Sequence, residues 1–205
     1  MNITILGTGN LGQRLGRLLI KAGHNIVFGS RQPQQSVLFD EHEVFSITES
    51  LRHSDVVVLA VPYKAYDVLL PTVREAVRDK IIVDASNPID DQWSPVQVTD
   101  GSAAEKVQRL LPESQVVKAF NSIFADVLTE QRLANTTTKP TAFIAGDERS
   151  ALGVVKQLCI DIGTHPIVCG SLFNARYLEA MAHLNIELAI GQGLGTQGAY
   201  AYVQL

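Results

Sequence analysis

The chain is poor in several things that would point to a particular class of protein. Of its 205 residues two are cysteine, Cys159 and Cys169, and one is tryptophan. The two thiols lack CxxC spacing and a histidine neighbour, so a disulfide scaffold and a dithiol redox centre are excluded. Both are expected to be buried small hydrophobes. Long apolar runs are also missing: the longest clear one is Val56-Val57-Val58-Leu59-Ala60-Val61, against the roughly 18 residues that a membrane span needs. The chain enters Ile3-Thr4-Ile5-Leu6 without a basic flank, so a cytoplasmic, unprocessed protein is expected. No charge of one sign dominates, since 17 basic and 21 acidic side chains leave −4. Neither nucleic acid nor a membrane surface is therefore an expected partner.

What is present is an alternation. Short runs rich in β-branched residues recur at 3–6, 25–28, 56–61, 80–84, 115–120, 141–145 and 165–168. Between most of them lie segments with helical spacing: Leu11, Leu15, Leu18 and Leu19, then 68–77, 103–111 and 151–162. Several strand runs are apolar at every residue rather than every second one, the pattern of strands buried on both faces of a parallel sheet. The fold class is a doubly wound, mainly parallel Rossmann-like α/β sheet. A last helix spans about 174–190 and is broken by Gly191, Gly193, Gly195 and Gly198. One domain is expected over 1–205, with about 1–150 as the dinucleotide-binding core and 151–205 as the last strand and C-terminal helix.

Gly7-Thr8-Gly9-Asn10-Leu11-Gly12 follows the first strand directly and opens an amphipathic helix. In that context the spacing is a dinucleotide fingerprint: Gly7 permits the tight turn, Gly9 lets backbone N–H groups approach a pyrophosphate, and Gly12 lets helix and strand pack closely. The helix N-terminus adds partial positive charge. An NAD enzyme places an acid at the end of the second strand to accept the ribose hydroxyls. Here that position reads Gly29-Ser30-Arg31, and the first carboxylate after Gly7 is Asp40. An arginine there on its own would more commonly be a solvated loop cation, but with no acid nearby Ser30 offers a hydroxyl and Arg31 a charged fork to a 2′-phosphate, so NADP is expected over NAD.

Ligands of such sheets sit at the carboxyl ends of the strands. The residues there are Ala60, Val61, Pro62 and Tyr63; Ala85, Ser86, Asn87 and Pro88; and Phe120, Asn121 and Ser122. They include no Ser-His-Asp set and no carboxylate pair, which argues against proton-transfer chemistry on a small substrate. Asn121 is the one catalytic candidate. Lys118, on the same strand run, is either a proton donor or the holder of a partner inside the sheet. Hydride transfer to a flat ring needs mainly stacking, so a bland cleft suits it. Glu179, His183 and Glu187 recur every fourth residue of the last helix, but ligands strung along two turns cannot close on one metal. No metal is expected, and these three are read as a solvated or interface face. The apolar residues of that helix, Leu178, Met181, Ala182, Leu184 and Ile186, exceed what one packing face requires, which suggests a homodimer.

With Gly7 to Gly12, Gly29-Ser30-Arg31, Val83-Asp84-Ala85-Ser86-Asn87-Pro88 and Val117-Lys118-Ala119-Phe120-Asn121 in view, the chain resembles the NADP oxidoreductases dependent on coenzyme factor 420. It also resembles the cytosolic domain of the six-transmembrane STEAP metalloreductases. The likeness extends to Ala145-Gly146-Asp147 and Gly170-Ser171-Leu172. It implies an NADPH-binding Rossmann domain that passes hydride to a flavin (FMN or FAD) or a 5-deazaflavin, commonly as a homodimer. By that likeness Ser30 and Arg31 hold the 2′-phosphate, and Asn87 and Asn121 lie near the nicotinamide. Two other readings remain open: a redox sensor that binds NADP(H) without turnover, and an imine or carbonyl reductase. The latter normally needs a helical substrate domain, for which the residues after Ser150 are too few.

Overall fold

The computed structural model describes residues 1–35 and 42–204. Within them, eight strands form one sheet: β1 (Asn2–Leu6), β2 (Asn25–Ser30), β3 (Val44–Ser46), β4 (Val56–Leu59), β5 (Ile81–Asp84), β6 (Gln115–Lys118), β7 (Thr141–Gly146) and β8 (His165–Val168). Their order is β3-β2-β1-β4-β5-β6-β7-β8. Every neighbouring pair is parallel except β6 and β7. The mainly parallel, doubly wound expectation therefore holds. The helices are α1 (Asn10–Lys21), α2 (Ile47–Ser50), α3 (Tyr66–Val73), α4 (Ala103–Leu110), α5 (Glu130–Asn135), α6 (Arg149–Asp161) and α7 (Ala175–Ile186).

The apolar continuity of the strands is explained by two cores, one on each face. Ile3, Ile5, Val56, Val58, Val83 and Val117 point to the core shared with α1 and α6. Their alternates Val57, Leu59, Ile82 and Val116 point to the core shared with α3 and α4. Successive side chains of a strand face opposite ways, so a sheet covered on both sides needs both parities apolar.

Seven of the eight strands coincide with the runs read from the sequence. The missing one, β3, is three residues at the sheet edge, with Phe45 exposed, too short and too open to leave a periodic signal. The final helix also differs. α7 ends at Ile186 and relaxes into one π-turn, Glu187–Gly191, which takes in the first of the glycines. Among the described residues no helix is long and apolar enough to cross a membrane.

Candidate active site

The strand order reverses between β1 and β4, and the first loop of the site lies there. Gly7 has φ +119°, and a Cβ on it would sit 2.2 Å from the Ala60 carbonyl oxygen. A Cβ on Gly12 would sit 2.2 Å from the Gly7 oxygen. Both glycines are therefore demanded by the protein's own packing. Gly9 differs: its φ is an ordinary −76°, and a Cβ there would meet nothing within 4 Å. The space beside Gly9 is open, as backbone approach by a ligand requires.

α1 begins at Asn10 with no side-chain cap and no acid in its first turn. Its first N–H groups and the positive end of its dipole are thus available to an anion. The Gly7 N–H donates to the Gly29 oxygen at 3.0 Å, which brings the end of β2 against the loop. Ser30 closes β2 half-buried, and Arg31 follows on the surface. Asp40, the first carboxylate after Gly7 in sequence, lies outside the described residues. This loop, its open flank at Gly9 and the neighbouring serine and arginine fit a dinucleotide that carries a 2′-phosphate.

A second part of the site is built at the ends of β5 and β6. Asn121 Nδ2 donates to Asn87 Oδ1 at 2.9 Å and to the Leu178 oxygen at 2.9 Å, while Asn87 Nδ2 donates to the Asn121 oxygen at 2.7 Å. The two residues are thus bonded both ways, Asn87 donating to the Asn121 backbone carbonyl rather than to its side chain, and Asn121 is pinned to α7. Phe120, just before Asn121, is buried with φ +64°. Such a conformation costs a bulky residue on the order of 1–3 kcal/mol, and strain of this kind gathers at functional sites.

The pair borders a cleft of about 340 Å³, also lined by Asn10 and Leu11 of α1, by Trp93, and by Ala182 and Asn185 of α7. The phosphate-loop helix, the amide pair and α7 thus meet around one space. A larger hollow of about 650 Å³ lies between α5 and the C-terminal residues, and no sequence-predicted site residue lines it.

Not every expected residue faces the cleft. Ser86 turns its hydroxyl inward, to Asp84 Oδ1 at 2.9 Å and Tyr66 Oη at 2.6 Å. The Tyr63 ring packs edge-on against Tyr66, with the Lys106 ammonium 5.0 Å from its centre. Ala60 and Val61 abut the Gly7 turn, and Pro62 leads into the next short helical turn.

The two readings left open for Lys118 resolve toward the interior. It is fully buried, with its ammonium 2.8 Å from Asp84 Oδ2, 2.8 Å from Glu179 Oε1 and 2.7 Å from the Ser86 oxygen. Burial by itself would lower its pKa, but the two carboxylates outweigh that and raise it. Asp84 Oδ1 accepts the Tyr66 hydroxyl at 2.5 Å, and burial followed by the Asp84 charge pushes that phenol well above its ordinary value.

Glu179 is a correction. The sequence reading set it on a solvated or interface face, yet it is buried and accepts the Ala103 and Ala104 N–H groups at 3.0 and 3.3 Å. It caps the N-terminus of α4 while pairing with Lys118, a role that helical periodicity alone cannot reveal. His183, one turn on, is half-buried, and burial lowers its pKa. Among the described residues no cluster of three metal-type ligands exists.

Of the cysteines, Cys159 is buried as expected, and burial pushes its pKa upward. Cys169 is only half-buried, which departs from expectation because β8 is the sheet's last strand.

Residues that sequence reasoning missed enter the site through loops. Trp93, Phe124 and Asp126 border the cleft, as does Thr196, whose hydroxyl donates to Asp126 Oδ2 at 2.5 Å. The lone tryptophan, six residues past Asn87, was the one signal available.

A family model described as NADP oxidoreductase, coenzyme F420-dependent, matches residues 2–88. The F420-dependent NADP reductase of Methanothermobacter thermautotrophicus is 36% identical over 93% of this chain and 90% of its own length. This chain belongs to that family. It is an NADP-dependent oxidoreductase. The metalloreductase STEAP3 of Rattus norvegicus is 29% identical over 87% of this chain but only 36% of its own length. A crystal structure of a putative F420-dependent NADP reductase from Arthrobacter sp. FB24 superposes over all of both chains with TM-score 0.88 at 24% identity, which bears on the fold.

Proposed function

We propose that this oxidoreductase passes hydride between NADP(H) and a flat tricyclic acceptor, a 5-deazaflavin or a flavin such as FMN or FAD, within the cleft bounded by α1 and α7. The observation that carries the reading is that one cleft of about 340 Å³ touches both the first turn of the phosphate-loop helix and the Asn87–Asn121 pair. That size lies within the usual range for small-molecule sites. NADPH, when bound, supplies the hydride. The protein's part is to hold and orient: Gly7 to Gly12 and the α1 N-terminus take the pyrophosphate, and Ser30 and Arg31 take the 2′-phosphate. The Ala60 to Tyr63 and Ser86 to Pro88 segments flank the nicotinamide end, with Asn87 and Asn121 fixing the ring's surroundings. No acid or base is assigned, because the acceptor carries its own electronics. The sheet continues from the nucleotide half into β7 and β8, in keeping with one domain.

The test is NADPH consumption with FMN, FAD and a 5-deazaflavin offered in turn, beside an NADH control. Rapid, NADPH-specific reduction of one ring is expected. Tight NADPH binding with every acceptor left oxidised would instead favour the sensor reading.

Arg31→Ala tests the nucleotide half separately. Losing a charge-assisted contact should weaken NADPH about 10–100-fold and leave NADH unchanged. Titration calorimetry with both nucleotides decides it, and equal losses for the two would remove Arg31 from the phosphate site.

The reading includes a homodimer, through an apolar surface that keeps Leu184 of the residues expected for it and adds others. Leu178, Ala182 and Ile186 are spent inside the protomer, whereas Phe173, Tyr177, Leu184 and Ile190 are each about half exposed or more. Tyr177 and Leu184 are two turns apart on one face of α7. Light scattering should return twice the protomer mass, falling to one protomer for Leu184→Glu.

A further inference from the structure

We infer that Trp93 is the stacking platform for the acceptor's ring, a role that rests on the proposed transfer to a flat acceptor in this cleft. Trp93 is the only tryptophan in the chain, and it borders the cleft while 51% exposed. Among the described residues, no aromatic ring or cation packs against the indole. A tryptophan serving the core would be buried. This one stands beside a space whose lining includes apolar Ile89, Phe124 and Ile186, the amides Asn87 and Asn121, and Asp126.

The loop that carries it is built to hold it there. Pro88 and Val96 close the base through the Val96 N–H donating to the Pro88 oxygen at 2.8 Å, and Ile89 bridges Pro95. At the tip, Asp90 Oδ1 accepts the N–H groups of Gln92 and Ser94, each at 2.9 Å. The Asp90 N–H in turn donates to the Ser94 oxygen at 2.9 Å. Trp93 itself takes φ +65°, a left-handed conformation that is an outlier for a bulky residue. Exposure removes burial as a reason for a bulky side chain in that conformation; a flat partner for the indole supplies one. The loop grows directly from Asn87, so it links the amide pair to the stacking face.

An indole offers a large, rigid, flat surface that loses little conformational freedom on binding. Trp93 lies outside the segments proposed to hold the nucleotide, so the ring assigned to it is that of the acceptor, and the NADPH arm of the test below decides between the two.

The experiment uses the whole chain with FMN and a 5-deazaflavin as probes. Trp93→Ala is expected to raise the KM for the accepted ring about tenfold, with kcat changed far less and the NADPH Kd unchanged. Trp93→Phe, which keeps a smaller ring, should stay within about threefold of wild type. A spectroscopic arm is independent of turnover: tryptophan quenches flavin emission at contact, so FMN bound to wild type should be dark and FMN bound to Trp93→Phe bright. An unchanged acceptor KM in Trp93→Ala, or equally bright FMN on both proteins, overturns the assignment. A loss of NADPH affinity with acceptor KM intact also overturns it, because the indole would then lie on the nucleotide. If no acceptor is reduced by wild type, the transfer reading fails, and the emission arm still decides whether the ring stacks on Trp93.

Discussion

Gly7→Ala is expected to abolish useful NADPH binding and to destabilise the fold, whereas Gly9→Ala should affect binding alone. A Cβ at Gly7 would lie 2.2 Å from the Ala60 oxygen, on a backbone with φ +119°. Neither the carbonyl of the switch-point strand nor the turn can yield without disturbing β1 and β4. The cost in stability is on the order of 2–4 kcal/mol, and affinity should fall at least about a hundredfold. At Gly9 the φ of −76° suits alanine and the added methyl meets open space. Thermal unfolding of Gly9→Ala should match wild type while its NADPH affinity drops, because the methyl occupies the space a pyrophosphate would enter. The pair of variants separates the fold's demand for glycine from the ligand's. Unimpaired NADPH binding by Gly9→Ala would remove the phosphate from this loop.

The second large effect is expected at Lys118. Removing its ammonium leaves Asp84 and Glu179 buried without a countercharge, at a cost of about 3–5 kcal/mol. For a domain of this size Lys118→Ala should lower Tm on the order of 10 °C. Glu179→Gln leaves one ammonium facing one carboxylate and is expected to cost much less. The pH dependence has a definite sign. A lysine whose folded pKa is raised above 10.5 contributes its full stabilisation below 10.5 and loses it only as pH rises through the folded value. Stability should therefore be insensitive to this group between about pH 6 and 9 and fall in strong alkali. A Lys118→Ala protein as stable as wild type would show that the buried cluster contributes no net stability.

This cluster also explains how the site is held. Tyr66 comes from α3, Asp84 from β5, Lys118 from β6 and Glu179 from α7, with the first N–H groups of α4 joined through Glu179. Three residues beyond Asp84 and Lys118 on the chain stand Asn87 and Asn121. The ion pairs tie the ends of β5 and β6 to α7, and the amide pair follows directly along the chain from both. Lys118 is a positioning residue, not a proton donor to the acceptor, since all three of its ammonium partners lie in the interior.

The strand–turn–helix geometry of the Gly7 to Gly12 loop was legible in the sequence because its signal is contiguous. The Gly7-x-Gly9-x-x-Gly12 spacing directly after a strand is read from six consecutive residues even though Gly7 packs against distant Ala60, and the missing acid before Arg31 is read at one position. The strands were legible because burial on both faces leaves continuous apolar runs. The far side of the cleft was not legible, because it is assembled by long-range contacts. Glu179 meets Lys118 across 61 positions of chain, and its four-residue spacing with His183 and Glu187 gave no hint that it turns inward. Trp93 reaches the cleft on an irregular loop with no period to read. The excess apolar surface of the last helix was visible in composition, but which residues face outward depended on the helix's rotation against the sheet.

The most direct test of hydride transfer at this cleft is isotopic. NADPH deuterated on the transferring face of nicotinamide C4 would be mixed anaerobically with the protein and a 5-deazaflavin, whose reduced C5 does not exchange with water. Deuterium at C5 of the reduced deazaflavin is the predicted result. Deazaflavin reduction without label at C5, or bound NADPH that stays unoxidised with each ring acceptor, would contradict it.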